Sequence, residues 1–223
     1  GVSYLRLIRR FEDRDHEEVR EVVINSFNET CAALFRYALW QPGIQLALLT
    51  VFCFLFLSSA SFLLSSVGLA LMILAVNRAA YQLITKNWIE VALKGDFLNI
   101  KKTYMETSGS CFWVAECNGK VVGTIAATPS KEKKGALELK RFAVRMGYRG
   151  RGVGKALCRA LCDFAQANGN QRIMLCTSVI HYEGLKFYER FGFKKTREYC
   201  WPSLLGKALN LLMICYRYDL SLS

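Results

Sequence analysis

The sequence predicts an α/β fold in which strands alternate with helices and into which an apolar helical hairpin is inserted. Three observations support this prediction. Strand-like and helix-like spacings of apolar residues alternate along the chain. A strand, a glycine-rich turn and an amphipathic helix follow one another in the second half. Between Arg36 and Arg78 no charged residue occurs.

The N-terminal region predicts a strand followed by a helix. Val2 to Phe11 alternates apolar and basic residues, as an edge strand does. From Arg14 to Leu39, apolar residues recur at helical spacing, which predicts a long amphipathic helix. We therefore expect residues 1–36 to supply the first strand and helix of the main domain.

The apolar stretch at residues 37–77 predicts a membrane-embedded helical hairpin. One helix over this stretch would be about 60 Å long at about 1.5 Å per residue, twice the roughly 30 Å of a bilayer's hydrocarbon core. Small and polar residues at Ser58–Ser61 and Ser65–Gly68 offer a break near its middle. A hairpin would leave residues 1–36 and 78–223 on one side as a single domain. A buried hairpin in a soluble protein is the alternative.

Residues after the apolar stretch predict a helix, a hairpin and a strand. Asp96 to Met105 has the spacing of an amphipathic helix. Phe112–Cys117 and Lys120–Thr128 predict two strands around Asn118-Gly119, a dipeptide typical of two-residue β-turns. Leu137 to Val144 is rich in apolar residues and predicts the next strand.

The last third of the chain predicts two more helices and three more strands. Apolar residues recur at helical spacing from Val153 to Phe164. The predicted elements that follow are a buried strand at Arg172–Thr177, a helix at Glu183–Phe191, and closing strands at Gly192–Trp201 and Leu211–Asp219.

The most informative motif is Arg149-Gly150-Arg151-Gly152-Val153-Gly154, at the junction of predicted strand and helix. Its glycines let the backbone approach an anion closely, and the helix N-terminus adds unpaired N–H groups. With two arginines beside them, they predict a pyrophosphate site. A purely steric need for glycine in the turn is the alternative. The spacing lacks the Gly-Lys-Ser/Thr ending of phosphate-binding loops and the third glycine of the dinucleotide motif.

The positive charge of the chain lies mostly after residue 77. That part carries 24 basic and 11 acidic residues, whereas residues 1–36 carry 6 and 7, for a net charge of +12. Such an excess suits a polyanionic cofactor, an acidic substrate or an anionic membrane surface. The sequence lacks a basic helix with interleaved aromatic residues, so we expect no nucleic-acid partner.

Nine cysteines are scattered through the sequence without a Cys-x-x-Cys pair, and only two histidines accompany them. We therefore expect no metal site. Cys158 and Cys162 share a helix face with predicted core residues, so they are interpreted as small buried apolar groups. The nine cysteines show no evident disulfide framework, and this favours a reducing compartment for the catalytic part.

Three segments carry a resemblance to a known family. Arg149-x-x-Gly152-x-Gly154 resembles the acetyl-CoA signature of the GCN5-related N-acetyltransferases. Residues 110–127 resemble the strand hairpin of that fold, and Leu185 to Phe193 resembles its later helix-to-strand motif. With its apolar insert, nearly the whole chain is similar to the camello-like N-acetyltransferase 8 family of membrane enzymes. The resemblance implies a mixed central sheet flanked by helices, here with an inserted apolar membrane hairpin.

The same resemblance implies where acetyl-CoA, the co-substrate, binds. Its pantetheine arm would lie along the strand at Leu137–Val144 and pair with main-chain groups there. The residues implied in binding are Phe142, Ala143, Val144, Arg149, Gly150, Arg151, Gly152, Val153, Gly154 and Lys155.

Five further residues are candidates for chemistry or acceptor binding. The resemblance implies Tyr188 as the general acid that protonates the thiolate, and a packing role is its alternative. Glu138 is a candidate general base, or else an ion-pair partner of Lys140. His181 is a second candidate base or an acceptor ligand. Lys140 and Arg141 would point to opposite faces of a strand, and Arg141 offers a bidentate partner for a carboxylate.

We therefore expect a membrane-bound N-acetyltransferase that acts on a small amino-acid-like amine such as a cysteine S-conjugate. The expected location is the endoplasmic reticulum membrane with a cytosolic catalytic domain, and the expected partners are acetyl-CoA, the amine and the lipid bilayer. Members of the resembled family act on cysteine S-conjugates, aspartate and protein lysines. The alternatives are a protein lysine N-acetyltransferase of the secretory pathway and a non-catalytic acetyl-CoA-binding membrane protein.

Overall fold

The computed structural model describes the backbone of residues 6–84 and 94–220. The chain divides into two compact units, one formed by Gly1–Asn28 with Leu93–Ser223 and the other by Glu29–Ala92. The predicted first strand is present from Arg6 onward, and its earlier residues lie outside the described part. The functional division at residues 36 and 78 stays a prediction.

The larger unit contains a seven-stranded sheet with the order β1-β2-β3-β4-β5-β7-β6. Only β4 and β5 run parallel, and the other neighbours are antiparallel. This arrangement confirms the predicted α/β class with a mixed sheet. The strands are β1 (Arg6–Arg10), β2 (Cys111–Cys117), β3 (Lys120–Pro129), β4 (Ala136–Val144), β5 (Arg172–Ser178), β6 (Lys194–Cys200) and β7 (Leu212–Asp219).

The described helices match most of the predicted ones. They are α1 (His16–Leu39), α2 (Pro42–Ser59), α3 (Phe62–Ile84), α4 (Val153–Ala167), α5 (Tyr182–Phe191) and the short α6 (Leu204–Ala208), which the sequence did not predict. The helix predicted over 96–105 is wrong in form: a turn precedes a π-helix at Lys101–Met105. The Asn99 side chain explains part of this, because its Oδ1 accepts the Lys102 N–H at 2.8 Å and favours a turn.

The hairpin of β2 and β3 forms as predicted. Asn118 has φ 52° and Gly119 has φ 74°, so both turn residues adopt the left-handed conformation. Two such residues in a two-residue loop match the right-handed twist of the flanking strands.

In the larger unit, side chains on both faces of β2 and β3 are buried, whereas most residues of β6 are exposed. On one face, α4 places Leu157 and Leu161 in the core, and its Phe164 ring lies 5.1 Å from Trp113 of β2. The preceding residue of β2, Phe112, points to the opposite face and meets Tyr104 at 5.4 Å between ring centroids. The sheet is therefore a rigid support from which the ends of β4 and β5 project their side chains.

The smaller unit contains a helical hairpin. Ala60 has φ 50° and ends α2, and α3 begins two residues later. The Ser59 and Ser65 hydroxyl oxygens lie 3.2 Å apart across the turn, and the rings of Phe52 and Phe62 pack edge to face. The chain thus turns back at the serine-rich break that the sequence predicts.

One helix of the described residues is long and apolar enough to cross a membrane by length and composition. It is α2, and none of its apolar window is buried. The apolar part of α3, Phe62–Arg78, is shorter. This pair of helices is the structural basis for the membrane proposal below.

An ion-pair network links Arg9 of β1 to Asp15 and to Glu116 of β2. The Arg9 guanidinium donates to both oxygens of Asp15 at 2.6 and 2.7 Å, and to Glu116 Oε2 at 2.7 Å. Burial opposes ionisation of Asp15, but Arg9 and the Glu12 N–H outweigh it and lower the pKa of the carboxyl. The part of the network that Asp15 contributes therefore stabilises the fold only while its carboxyl is ionised.

Replacing Asp15 with Asn should destabilise the larger unit at neutral pH. Because Glu116 still pairs with Arg9, the expected loss in the free energy of unfolding is about 1–3 kcal/mol. The lowered pKa means that this stabilisation is present above the ordinary carboxyl pKa and disappears as the pH falls through the folded value. Urea denaturation should therefore show a difference that shrinks in strong acid. Asp219→Asn, which breaks an exposed pair with Arg217, should change little.

Candidate active site

A cleft opens where β4 and β5 separate. The two strands pair only over Ala136–Glu138 and Arg172–Met174, although both continue beyond these residues. The cleft has a volume of about 290 Å³. It is lined by Glu138, Leu139, Lys140, Arg141, Phe142, Leu175, Cys176, Thr177 and Tyr188. The β4 edge that faces it lacks a strand partner there, so its main-chain groups are free to pair with an extended ligand.

A β-bulge in β4 lies where this strand no longer pairs with β5. Thr124 of β3 pairs with Ala143, but Ala126 pairs with Lys140, so β4 holds one extra residue. Arg141 has φ 50° there, and its carbonyl oxygen accepts the Thr124 hydroxyl at 2.8 Å. The bulge turns Phe142 toward α5, where its ring lies 5.2 Å from Phe187.

A partly buried charge pair holds the bulge. The Arg141 guanidinium donates to Asp96 through Nε at 2.7 Å and through Nη2 at 2.5 Å, and it lies 5.0 Å from the centre of the Phe97 ring. The buried Tyr104 hydroxyl donates to the same carboxylate. Burial alone would lower the pKa of Arg141, but Asp96 outweighs it and the pKa is raised. Arg141 therefore stays charged and fixed in place.

The sequence analysis expected Arg141 to meet an acceptor carboxylate, and the structure gives its bidentate partner as Asp96. The role of Arg141 toward an acceptor stays a prediction. Sequence reasoning missed Asp96, Tyr104 and Thr124, because a single acidic, aromatic or hydroxyl side chain far along the chain carries no local signal.

The glycine-rich turn joins β4 to α4. Gly150 has φ 71° and Gly152 has φ 82°, and α4 begins at Val153. A Cβ atom on Gly154 would lie 3.0 Å from the Phe142 ring and 3.3 Å from the Phe187 ring. Gly150 and Gly152 therefore allow the left-handed backbone of the turn, and Gly154 lets α4 approach the bulge closely.

The charged residues of the turn surround the start of α4. The Arg149 Nε donates to the Val144 carbonyl at 2.9 Å, and the Arg151 guanidinium lies 5.7 Å from the Tyr148 ring centre. Arg149, Arg151 and Lys155 are exposed. Three positive side chains at a helix N-terminus provide the electrostatics that a pyrophosphate requires.

Tyr188 reaches the cleft from α5. Its side chain is 7% exposed and packs at 6.0 Å from Phe142 and 5.6 Å from Phe193, between ring centroids. Burial raises the pKa of its phenol, and Cys158 adds to the effect. The hydroxyl is consequently protonated at neutral pH, as a proton donor must be.

The two candidate bases occupy different places. Glu138 lines the cleft, and its Oε2 lies 3.2 Å from Lys140 Nζ. Both side chains are partly exposed. His181 precedes α5 and lies outside the described cleft lining, and burial lowers its pKa. The structure thus brings Glu138, Lys140 and Tyr188 to one cleft, and His181 is not among the residues that line it.

A disulfide joins Cys176 of β5 to Cys215 of β7, directly opposite in the antiparallel register. The sequence analysis favoured a reducing compartment for the catalytic part, and it did not predict this disulfide. The pair could not be predicted from the sequence, because 39 residues separate the two cysteines. Cys176 is exposed and lines the cleft, whereas Cys215 is 4% exposed.

Comparisons with known proteins agree with this geometry. Residues 77–193 match the acetyltransferase (GNAT) family. The chain is 35% identical to N-acetyltransferase family 8 member 3 of Rattus norvegicus over 96% of this chain and 94% of that protein. It is 35% identical to N-acetylaspartate synthetase of Danio rerio over 95% of this chain and 76% of that protein. A GNAT-family acetyltransferase from Staphylococcus aureus Mu50 has the same fold, with a TM-score of 0.58, 17% identity and coverage of 97% and 100%.

Replacing Gly152 with Val should weaken acetyl-CoA binding severely, because the new side chain enters the space where the backbone would meet the pyrophosphate. Calorimetry measures the affinity. Gly169→Val is the matched control: this glycine has φ 69°, follows the other end of α4, and has open space around its Cβ position. Both variants incur a left-handed conformational cost of about 1–2 kcal/mol. Equal affinity in the two folded variants would contradict the pyrophosphate assignment.

Proposed function

The chain belongs to the GNAT acetyltransferases and, among them, to N-acetyltransferase family 8. It is thus an acetyl-CoA-dependent N-acetyltransferase, and we propose that its acceptor is the amine of a small amino-acid-like molecule such as a cysteine S-conjugate. One observation carries this proposal. The separation of β4 from β5 opens a cleft that has Tyr188 on one side and charged side chains of β4 on the other.

We propose that the pantetheine arm of acetyl-CoA lies along the free edge of β4. The main-chain groups of Phe142, Ala143 and Val144 follow the bulge and lead toward the glycine-rich turn. An extended amide-containing chain pairs with such an edge as an added strand does. The thioester would then stand near the bulge, and the pyrophosphate would meet the start of α4.

Acetyl transfer requires the amine nitrogen to attack the thioester carbon, lose a proton, and expel a thiolate. In this proposal Glu138 accepts the amine proton, directly or through a water molecule. Tyr188 donates its phenolic proton to the sulfur. The phenol of Tyr188 carries its proton at neutral pH, and burial raises its pKa further above the ordinary value. The bulge fixes the main-chain groups that orient the carbonyl, so positioning supplies most of the catalysis.

Lys140 is the residue that we propose for the acceptor carboxylate. Arg141 already pairs with Asp96 through two hydrogen bonds, whereas Lys140 lines the cleft and is partly exposed. An ammonium group that is hydrated and flexible can move from Glu138 to a bound carboxylate. This exchange would also release Glu138 to act as a base. The name of the Danio rerio relative, N-acetylaspartate synthetase, is in line with an acceptor that carries a carboxylate.

We propose that the enzyme resides in the endoplasmic reticulum membrane, anchored by the hairpin of α2 and α3. The support is the exposed apolar surface of these helices and the serine-rich turn between them. Apolar helices that are left uncovered in water expose an area that soluble proteins avoid. A hairpin that enters and leaves on one side keeps residues 1–36 and 78–223 together, and we place them on the cytosolic side.

A second candidate function has one observation in its favour. The disulfide between Cys176 and Cys215 is typical of an oxidising compartment. A catalytic unit on the lumenal side would meet secretory proteins, and protein lysine N-acetylation is therefore the alternative. A non-catalytic acetyl-CoA-binding role fits this family of enzymes less well than catalysis does, because Tyr188 and the glycine-rich turn are intact.

Tyr188→Phe should lower turnover about 10²- to 10⁴-fold, the usual contribution of general acid catalysis. Acetyl-CoA affinity should stay close to wild type, since the ring still packs. Tyr216→Phe is the control, because Tyr216 belongs to the same aromatic cluster and donates to Glu189 at 2.8 Å outside the cleft. Wild-type turnover of Tyr188→Phe across the pH range would return Tyr188 to a packing role.

Acetyl-CoA consumption with a panel of amines should identify the acceptor class. A cysteine S-conjugate should react faster than the same molecule without its carboxylate, and faster than a lysine peptide. Lys140→Met should raise the KM for the conjugate about 10- to 100-fold, equivalent to about 1.5–3 kcal/mol for a charged hydrogen bond. Lys133→Met, on the exposed loop before β4, should leave it unchanged. Preference for the lysine peptide would favour the second candidate function.

Deletion of residues 43–76 should release a protein that no longer sediments with membranes and still binds acetyl-CoA. The reason is that these residues lie within the smaller unit, whereas the residues that line the cleft belong to the larger unit. Membrane fractionation and calorimetry measure the two outcomes. Continued sedimentation of a folded deletion variant would show that another surface holds the protein to the membrane.

A further inference from the structure

We propose that Cys176 is a thiol-exchange site at which coenzyme A, the thiol product of the reaction, becomes covalently attached. This inference rests on the proposed function, because it requires the thioester sulfur to lie in the cleft between β4 and β5. The starting observation is that the Cys176–Cys215 disulfide forms part of the wall of that cleft. Each turnover would therefore release a thiol beside a disulfide.

The strand order gives the exchange a favourable direction. Thiol–disulfide exchange requires the incoming sulfur to approach in line with the bond that breaks. β5 lies between β4 and β7, and the disulfide crosses from Cys176 of β5 to Cys215 of β7. The cleft lies on the β4 side of β5. A thiolate in the cleft thus approaches Cys176 from the side opposite Cys215, which is the leaving sulfur.

The difference in solvent exposure also favours attack at the Cys176 sulfur. Cys176 is exposed to the cleft, whereas Cys215 is 4% exposed and shielded from an attacking thiol. Attack therefore occurs at Cys176, and Cys215 departs.

A basic residue is the cross-strand neighbour of the leaving cysteine. Arg197 of β6 is the direct register partner of Cys215. Side chains directly opposite in antiparallel strands have Cβ atoms about 4.5–5.5 Å apart. A positive side chain on a neighbouring strand favours a thiolate that forms at Cys215 and makes it a better leaving group. Cys215 thus lies between Cys176 of one neighbouring strand and Arg197 of the other.

The step is balanced without an external oxidant. The coenzyme A thiolate forms a new S–S bond with Cys176, the Cys176–Cys215 bond breaks, and Cys215 keeps the electron pair as a thiolate. The reverse attack of Cys215 on Cys176 restores the disulfide and releases coenzyme A. The attached molecule occupies the cleft, so accumulated product would block a new acetyl-CoA until the disulfide is restored or a small reducing thiol removes it.

The test uses the full-length protein in detergent, incubated with coenzyme A, treated with an alkylating agent and analysed by mass spectrometry. We expect a coenzyme A adduct on the Cys176 peptide, one newly alkylated thiol at Cys215, and loss of the adduct with dithiothreitol. The Cys176→Ser and Cys215→Ser variants each lack the disulfide and should give no adduct at this site. An adduct confined to other cysteines, such as the exposed Cys53, would overturn the proposal.

Two ligand controls separate this inference from the proposed function. Glutathione at equal concentration should label Cys176 at least about tenfold more slowly, because it is not held in the cleft. Equal labelling would show that the disulfide is merely accessible and would overturn the proposal. Desulfo-coenzyme A, which has no thiol, should compete with acetyl-CoA and leave no adduct. Competition without any labelling by coenzyme A refutes the exchange alone, whereas failure to compete refutes the cleft as the acetyl-CoA site.

Discussion

The left-handed conformation of Arg141 is the constraint on which the rest of the site depends. A residue with a side chain costs about 1–2 kcal/mol in this conformation, and the fold provides partners that offset the cost. Thr124 holds the carbonyl of Arg141, and Asp96 holds its guanidinium. The bulge that results breaks the regular edge of β4 where it parts from β5, and it brings Phe142 against Gly154. Cleft, glycine-rich turn and aromatic packing are therefore linked through one backbone torsion.

Local patterns in the sequence predicted the elements, because strands, helices and two-residue turns depend on neighbouring residues. The Asn118-Gly119 hairpin and the glycine-rich start of α4 are examples. Contacts set by sheet register and tertiary packing were not predictable in the same way. Asp96 and Arg141 are 45 residues apart, and the two disulfide cysteines are 39 apart. In neither pair does the local sequence around one residue identify the other.

The interpretation of Lys140 and Arg141 shows how one backbone irregularity changes a functional prediction. In a regular strand, successive side chains point to opposite faces, and either residue is then available to a ligand. The extra residue in β4 breaks that alternation at Arg141. Asp96, on the turn before the π-helix, then becomes its partner. The sequence suggested two cations that could bind a ligand. In the structure Arg141 is paired with Asp96, and Lys140 is paired with the partly exposed Glu138.

The disulfide beside the cleft connects chemistry to compartment. A permanent disulfide belongs to an oxidising environment, whereas in a reducing cytosol the disulfides that occur are usually transient. A bond that exchanges with the product thiol is of the transient kind, and it is compatible with a cytosolic catalytic unit. The exposed Cys176 and the buried Cys215, whose cross-strand neighbour is Arg197, differ in accessibility and in the residues that neighbour them. That asymmetry distinguishes an exchangeable bond from one that serves only to join β5 to β7, strands that backbone hydrogen bonds already hold along seven register pairs.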